Sequence, residues 1–134
     1  MLSYGKPMPA EKKLKRILVV DDERPLVRAL ELKFTHSGFD VGTAFDGEEA
    51  LRKIKEEPFD LVLLDLMLPK VDGFGVMQKL HEEGNKIPVI VTTNLSQEDD
   101  AKKVNALGAK AYLVKSDTPI NVIVDRVQDA LKGI

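Results

Sequence analysis

A chain of 134 residues has the size of one ordinary domain, and its 43% hydrophobic and 31% charged residues are those of a globular protein with a single sizeable core. A net charge of -2 speaks against a nonspecific nucleic-acid surface or an anionic-membrane surface, so neither is expected as a partner. The lack of cysteine excludes a disulfide framework and a thiolate metal site, no apolar run nears the roughly 20 residues of a membrane span, and Met1 to Ala10 lacks the apolar stretch of a secretory signal; the cytoplasm is the expected address.

The stretch from Met1 to Lys13 carries Gly5, Pro7 and Pro9 without sustained periodicity, so residues 1–14 read as a flexible N-terminal arm and 15–134 as the domain. The basic run Lys12, Lys13, Lys15 and Arg16 reads as a solvated entry segment. Five strand-like runs follow: Lys15–Val20, Asp40–Ala44, Leu61–Leu64, Val89–Thr92 and Ala111–Val114. Four are nearly all apolar, as strands covered on both faces are, while the second is more mixed, which suits an edge. Amphipathic helical stretches separate them. Pro25 sits in a first turn, and Leu26, Leu30 and Phe34 share a face until Gly38 stops the helix. Gly47 precedes a second helix, with Ala50, Leu51 and Ile54 inward, that ends before Pro58. Phe74, Met77 and Leu80 mark a third, closed by Gly84. Ser96, with Asp99 three residues on, has the spacing of a capping box for a fourth that runs to Gly108. Thr118-Pro119 opens a fifth, with Ile120, Ile123, Val127 and Leu131 on one side. Strands alternating with helices predict an α/β domain with a parallel sheet.

The chemistry gathers at the strand ends. Asp21 and Asp22 follow the first strand, Asp65 the third, Thr93 the fourth and Lys115 the fifth. A carboxylate ending an apolar strand is costly unless a cation or hydrogen bonds compensate it. In open doubly wound sheets, ligands gather outside the carboxyl ends of the strands. Three aspartates brought together there either take raised pKa values or hold a divalent cation, and magnesium suits hard oxygen donors that also meet phosphate. Three carboxylates, one Mg2+ and one ammonium come to about zero formal charge, a plausible receiving site for a phosphoryl group. Asp65 would attack phosphorus and become an aspartyl phosphate, with positioning and electrostatics supplying most of the rate.

The segments ILVVDDE, LVLLDLMLPKVDGF, PVIVTTN and GAKAYLVK, in that order, resemble those of response-regulator receiver domains, the phosphoacceptors of two-component signalling. The resemblance covers roughly Arg16 to Leu131. It implies a flavodoxin-like, doubly wound sheet of five parallel strands in the order 2-1-3-4-5, with five helices in three α/β/α layers. It makes Asp65 the phosphorylated residue, with Lys115 and Thr93 completing the reacting set. Asp22 would be the direct magnesium ligand, Asp21 would act largely through water, and the Met67 carbonyl would complete the protein part of the metal shell with Asp65. Thr93 and Tyr112 would be the switch pair, and the fourth helix, fifth strand and fifth helix the output face. Pro69 and Asp72-Gly73 resemble the turn leading from the third strand to its helix. Implied partners are a histidine kinase or histidine phosphotransfer protein and a downstream protein, the domain itself being a monomer or weak dimer. Such a domain is no enzyme beyond its own phosphorylation and dephosphorylation. Two positions depart from the family pattern: Asn94 stands where a small residue is usual, and Ser116 where proline is usual. The Lys115-Ser116 peptide is expected trans, because a non-proline cis bond costs about 2.5–4 kcal/mol.

Each residue also has a plainer reading. Asp22 would serve as an N-cap for the helix at Pro25, Asp21 as a solvated loop residue and Thr93 as a strand-end hydroxyl bonding locally. Lys115 would be a snorkelling surface lysine, Tyr112 a half-buried strand aromatic, and Met67 and Met77 core. His36 and His81, far apart and without partners at metal spacing, read as surface residues. Coincidence at four strand ends favours the phosphoacceptor. A stand-alone receiver acting by protein contact is the main expectation; the alternative is the receiver part of a longer transcription regulator or hybrid kinase. A small magnesium-dependent phosphohydrolase is the third reading, but it would need Asp-x-Asp/Thr where Asp65 is followed by Leu66 and Met67.

Overall fold

The computed structural model describes residues 14–95 and 97–132. Strands and helices alternate as β1 (Arg16–Val20), α1 (Arg24–His36), β2 (Asp40–Ala44), α2 (Gly47–Glu56), β3 (Leu61–Leu64), α3 (Gly73–Glu82), β4 (Val89–Thr93), α4 (Glu98–Ala106), β5 (Ala111–Val114) and α5 (Ile120–Lys132). A short 3-10 turn, Lys115–Asp117, separates β5 from α5. All strand pairs are parallel, and the sheet order is β2-β1-β3-β4-β5, as the resemblance implied. β2 is an edge, in keeping with its mixed sequence.

Side chains on a strand alternate between faces, and here the alternation sorts the core into two halves. Ile17, Val19, Leu61, Leu63 and Ile90 face Val27, Leu30 and Phe34 of α1 and Ile123, Val124 and Val127 of α5. Leu18, Val20, Val62, Leu64, Val89 and Val91 face Ala50 of α2, Val76, Met77 and Leu80 of α3, and Val104 of α4. The apolar central strands are thus covered on both sides, which gives the three layers. On α1 the fully buried stripe is Val27, Leu30 and Phe34, with Leu26 at its margin.

Helix starts show where local chemistry was misread. Glu23, not Asp22, is the N-cap of α1, and no side chain caps it; Pro25 lies in the first turn, where its missing N–H costs nothing. The reciprocal capping pair lies at α2. Asp46 Oδ1 accepts the Glu49 N–H (2.7 Å), and Glu49 Oε1 accepts the Phe45 N–H (2.8 Å). The predicted box at Ser96 falls outside the described residues, as does the arm through Lys13, while Gln97 occupies the N-cap of α4. The described peptide bonds are all trans, Lys115-Ser116 included. His36 and His81 are exposed, as expected.

Candidate functional site

Register brings the acids together. Val20 pairs with Leu64 across β1 and β3, so Asp21 and Asp65 leave adjacent strands at the same level, and the Asp65 N–H donates to the Val20 carbonyl (3.0 Å). These are the two strands flanking the point where sheet order reverses, the crevice in which such folds bind ligands. Thr93 pairs with Val114, which sets Lys115 one residue beyond β5 on the same rim.

Glycines let the backbone close around Asp65. A Cβ on Gly73 would lie 2.4 Å from the Asp65 carbonyl oxygen and 2.6 Å from Leu66 Cα, so only glycine allows α3 to start there. The Gly73 N–H donates to the Leu66 carbonyl (2.9 Å), and Asp72 Oδ1 caps the helix through the Gly75 N–H (2.8 Å). Gly47 plays the matching part for α2, since its Cβ would fall 1.8 Å from the Val71 carbonyl oxygen.

Within this frame Asp21 and Asp65 are both buried, and their carboxylates with that of exposed Asp22 lie within 4.8 Å of one another. Asp21 Oδ1 accepts the Glu23 N–H (2.9 Å), and Asp65 Oδ1 accepts the Met67 N–H (3.2 Å). Lys115 is the neutralising cation. Its Nζ lies 2.8 Å from Asp21 Oδ2, 3.2 Å from Asp65 Oδ2 and 2.5 Å from Glu23 Oε1, with the side chain 8% exposed. It is therefore not a snorkelling lysine. Burial drags its pKa down, but the hydrogen bonds to Asp21 and Glu23 and the charge of Asp65 outweigh that, and the net shift is upward. Burial pushes the Asp21 carboxyl up, opposed by its bonds to Lys115 and the Glu23 N–H and aided by the charge of Asp65.

Four carboxylates around one ammonium leave about three negative charges in excess, and hard oxygens at this spacing are the donor set that magnesium takes. Asp21, Asp22 and Asp65 fit that ion. Met67 is 56% exposed, which corrects the core reading of its side chain; the side chain stands at the rim of the cleft, where the Met67 carbonyl is the proposed further ligand. An open cleft of about 590 Å3 over the acids is lined by Asp22, Glu23, Asp65, Met67, Asn94 and Lys115 among others.

Thr93 is fully buried at the end of β4, and its Oγ1 accepts the Leu95 N–H (3.3 Å). The Leu95 carbonyl in turn accepts the Tyr112 hydroxyl. One residue, Leu95, thus joins the hydroxyl at the site to the aromatic of β5 through its own N–H and C=O. Sequence reasoning missed this link, because it is made by backbone and has no side-chain signature. It also passed over Glu23 as a partner of Lys115; the run Asp21-Asp22-Glu23 was visible, but the contact spans 92 positions.

The family model described as response regulator receiver domain matches residues 17–128. The chain belongs to that family. A probable transcriptional regulator ycf27 of Porphyridium aerugineum is 47% identical over 119 residues, 89% of this chain and 49% of the relative. The alkaline phosphatase synthesis transcriptional regulatory protein PhoP of Bacillus subtilis (strain 168) is 44% identical over 108 residues, 81% of this chain and 45% of that protein. A chain in the crystal structure of the CheX-CheY-BeF3-Mg+2 complex from Borrelia burgdorferi superposes with a TM-score of 0.81 at 33% identity, covering 87% of this chain and 89% of that chain. The receiver domain spans about half the length of the curated relatives it matches.

Proposed function

We propose that this receiver domain accepts a phosphoryl group on Asp65 from a histidine kinase or histidine phosphotransfer protein, with magnesium, and releases it to water at the same site. The observation that carries this reading is the convergence of Asp65 with Asp21, Asp22 and Lys115 at the reversal point of the sheet. An oxygen of the Asp65 carboxylate forms a bond to phosphorus as the donor's nitrogen–phosphorus bond breaks, and the imidazole leaves with the electron pair. Water later attacks the same phosphorus, giving inorganic phosphate and the free carboxylate. Magnesium held by Asp21, Asp22, Asp65 and the Met67 carbonyl would neutralise charge on the phosphoryl oxygens. Lys115, already against Asp65, is placed to pair with those oxygens; the Thr93 hydroxyl would donate to them after giving up the Leu95 N–H.

That exchange supplies the signal. When Thr93 lets go of the Leu95 N–H, the residue whose carbonyl holds the Tyr112 hydroxyl is freed on its other side, and the change reaches α4, β5 and α5, the proposed output face. The name of the solved complex, which carries BeF3 and Mg+2, supports the metal assignment here. No described helix is long and apolar enough to cross a membrane, which accords with a cytoplasmic address.

The test is intact-mass spectrometry after treatment with magnesium and a small phosphodonor. The wild type should gain one base-labile phosphoryl mass, and Asp65→Asn none; an equal gain in both removes Asp65 as acceptor. A stand-alone receiver acting by protein contact is one setting for this chemistry. A second, the input half of a longer transcription regulator, is favoured because the two transcriptional regulators above are about twice as long as the stretch this chain matches. In that setting a further segment would bind DNA. The open reading frame of the source gene separates the two.

A further inference from the structure

The two positions that depart from the family pattern touch each other. The Ser116 N–H donates to Asn94 Oδ1 at 3.2 Å, although 22 positions separate them. Ordered pairing of β4 with β5 ends at Thr93 opposite Val114, so the contact prolongs the ladder by one rung, with a side chain in place of a carbonyl. Ser116 is the second residue of the 3-10 turn, where an N–H has no partner within the turn. Asn94 supplies that partner. The Thr118 N–H closes the turn onto the Lys115 carbonyl (3.2 Å), and the Thr118 hydroxyl returns to the Val114 carbonyl (2.7 Å), so the turn is held at both ends. A proline at position 116 would have no N–H to give.

Asn94 directly follows Thr93, and Ser116 directly follows Lys115. We propose that Asn94 is a positioning residue for Lys115: through the Ser116 N–H it ties the turn carrying the ammonium to the end of β4, so that Lys115 and Thr93 meet a phosphoryl group on Asp65 at a fixed spacing. The inference rests on the reading of Asp65 as acceptor. Ser116 is then suited to this chain because its backbone donor complements Asn94, and the two departures are a single device. Movement of Thr93 toward the phosphoryl group draws the Asn94 backbone, and the tie passes that displacement to the strand end bearing Lys115.

The experiment measures beryllofluoride affinity in saturating magnesium, with magnesium alone titrated in parallel, for wild type, Asn94→Ala, Ser116→Pro and the double variant. Asn94→Ala should weaken beryllofluoride about five-fold, the worth of one neutral hydrogen bond, and leave magnesium affinity unchanged. The double variant should bind no worse than Ser116→Pro alone, because each change removes the same bond. Unchanged affinity in Asn94→Ala, or additive losses in the double variant, overturns the proposal. Should Ser116→Pro fail to fold, amide exchange decides: the Ser116 N–H should exchange about five-fold faster in Asn94→Ala and keep its protection in Asn94→Asp, which retains the acceptor. Equal exchange in wild type and Asn94→Ala overturns the tie. Wild type that binds no beryllofluoride at all, while Ser116 remains protected by Asn94, would defeat the acceptor reading and leave the tie a purely structural contact.

Discussion

Replacing Asp65 by asparagine should stabilise the protein in magnesium-free buffer. The carboxylate is buried, and another buried carboxylate, that of Asp21, offers an oxygen within 4.8 Å of it. At an effective dielectric constant near 20, that pair repels by about 3.5 kcal/mol. Exposed Asp22 sits within the same limit but is screened by water and adds about 1 kcal/mol. Lys115 at 3.2 Å from Asp65 returns about 5 kcal/mol of attraction, so the pairwise terms nearly cancel. The desolvation of a buried carboxylate then remains, a cost of several kcal/mol that asparagine escapes at almost the same volume. The bond from Lys115 is already contained in the attraction it returns, and an asparagine oxygen still accepts the Met67 N–H, so the variant should gain about 2 kcal/mol and melt roughly 6–10 °C higher with EDTA present. Magnesium at a hundred times its dissociation constant should then give the wild type about 2.7 kcal/mol, and the variant less, closing most of the gap. Thermal melts by circular dichroism with EDTA and with magnesium decide the matter. A variant melting several degrees below wild type in EDTA would show that the Lys115 contact outweighs the cost of burying the charge.

The other expected outcomes concern the same site and its supports. Asp22→Ala should blunt the magnesium-dependent rise in melting temperature, and an equal rise in both proteins would remove Asp22 as a direct ligand. Gly73→Ala should cost about 2–3 kcal/mol in urea unfolding, because its Cβ meets fixed backbone at 2.4 Å. Gly75→Ala meets the side chains of Val71 (Cγ1 at 2.8 Å) and Asp72 (Oδ1 at 3.5 Å), of which only the first is too close and can yield, so it should cost less; the reverse order would show that Gly73 is not the close approach described. Burial, and then the charge of Asp100, push the Tyr112 hydroxyl pKa up, so its absorbance titration should have a midpoint above the ordinary value of about 10, identified by loss of that step in Tyr112→Phe. The folded state holds that proton more tightly than the unfolded chain does. Its contribution to stability is therefore complete below about pH 10 and is lost as pH rises through the higher folded value. A midpoint at or below that of free tyrosine contradicts the placement.

Much of the fold was legible because its causes are local or periodic. Apolar runs at Ile17–Val20 and Leu61–Leu64 mark strands covered on both faces, and the stripes around Leu30, Met77 and Val127 mark the helices that cover them. Acids at the ends of β1 and β3 were visible for the same reason, since charge after an apolar run needs a compensating partner. Strand order came from resemblance; parallel strands pair across long crossovers, and no local pattern states which strand neighbours which. Only the tertiary structure showed that Lys115 lies against Glu23 as well as Asp21 and Asp65, that Leu95 links Thr93 to Tyr112, and that Asn94 meets Ser116. These contacts join residues that sit next to one another on the rim of the sheet but lie 17 to 94 positions apart in the chain, except for the short Thr93–Leu95 bond. Composition and spacing set which chemical groups reach the strand ends. Register between strands, fixed by packing on both faces at once, decides which of those groups touch.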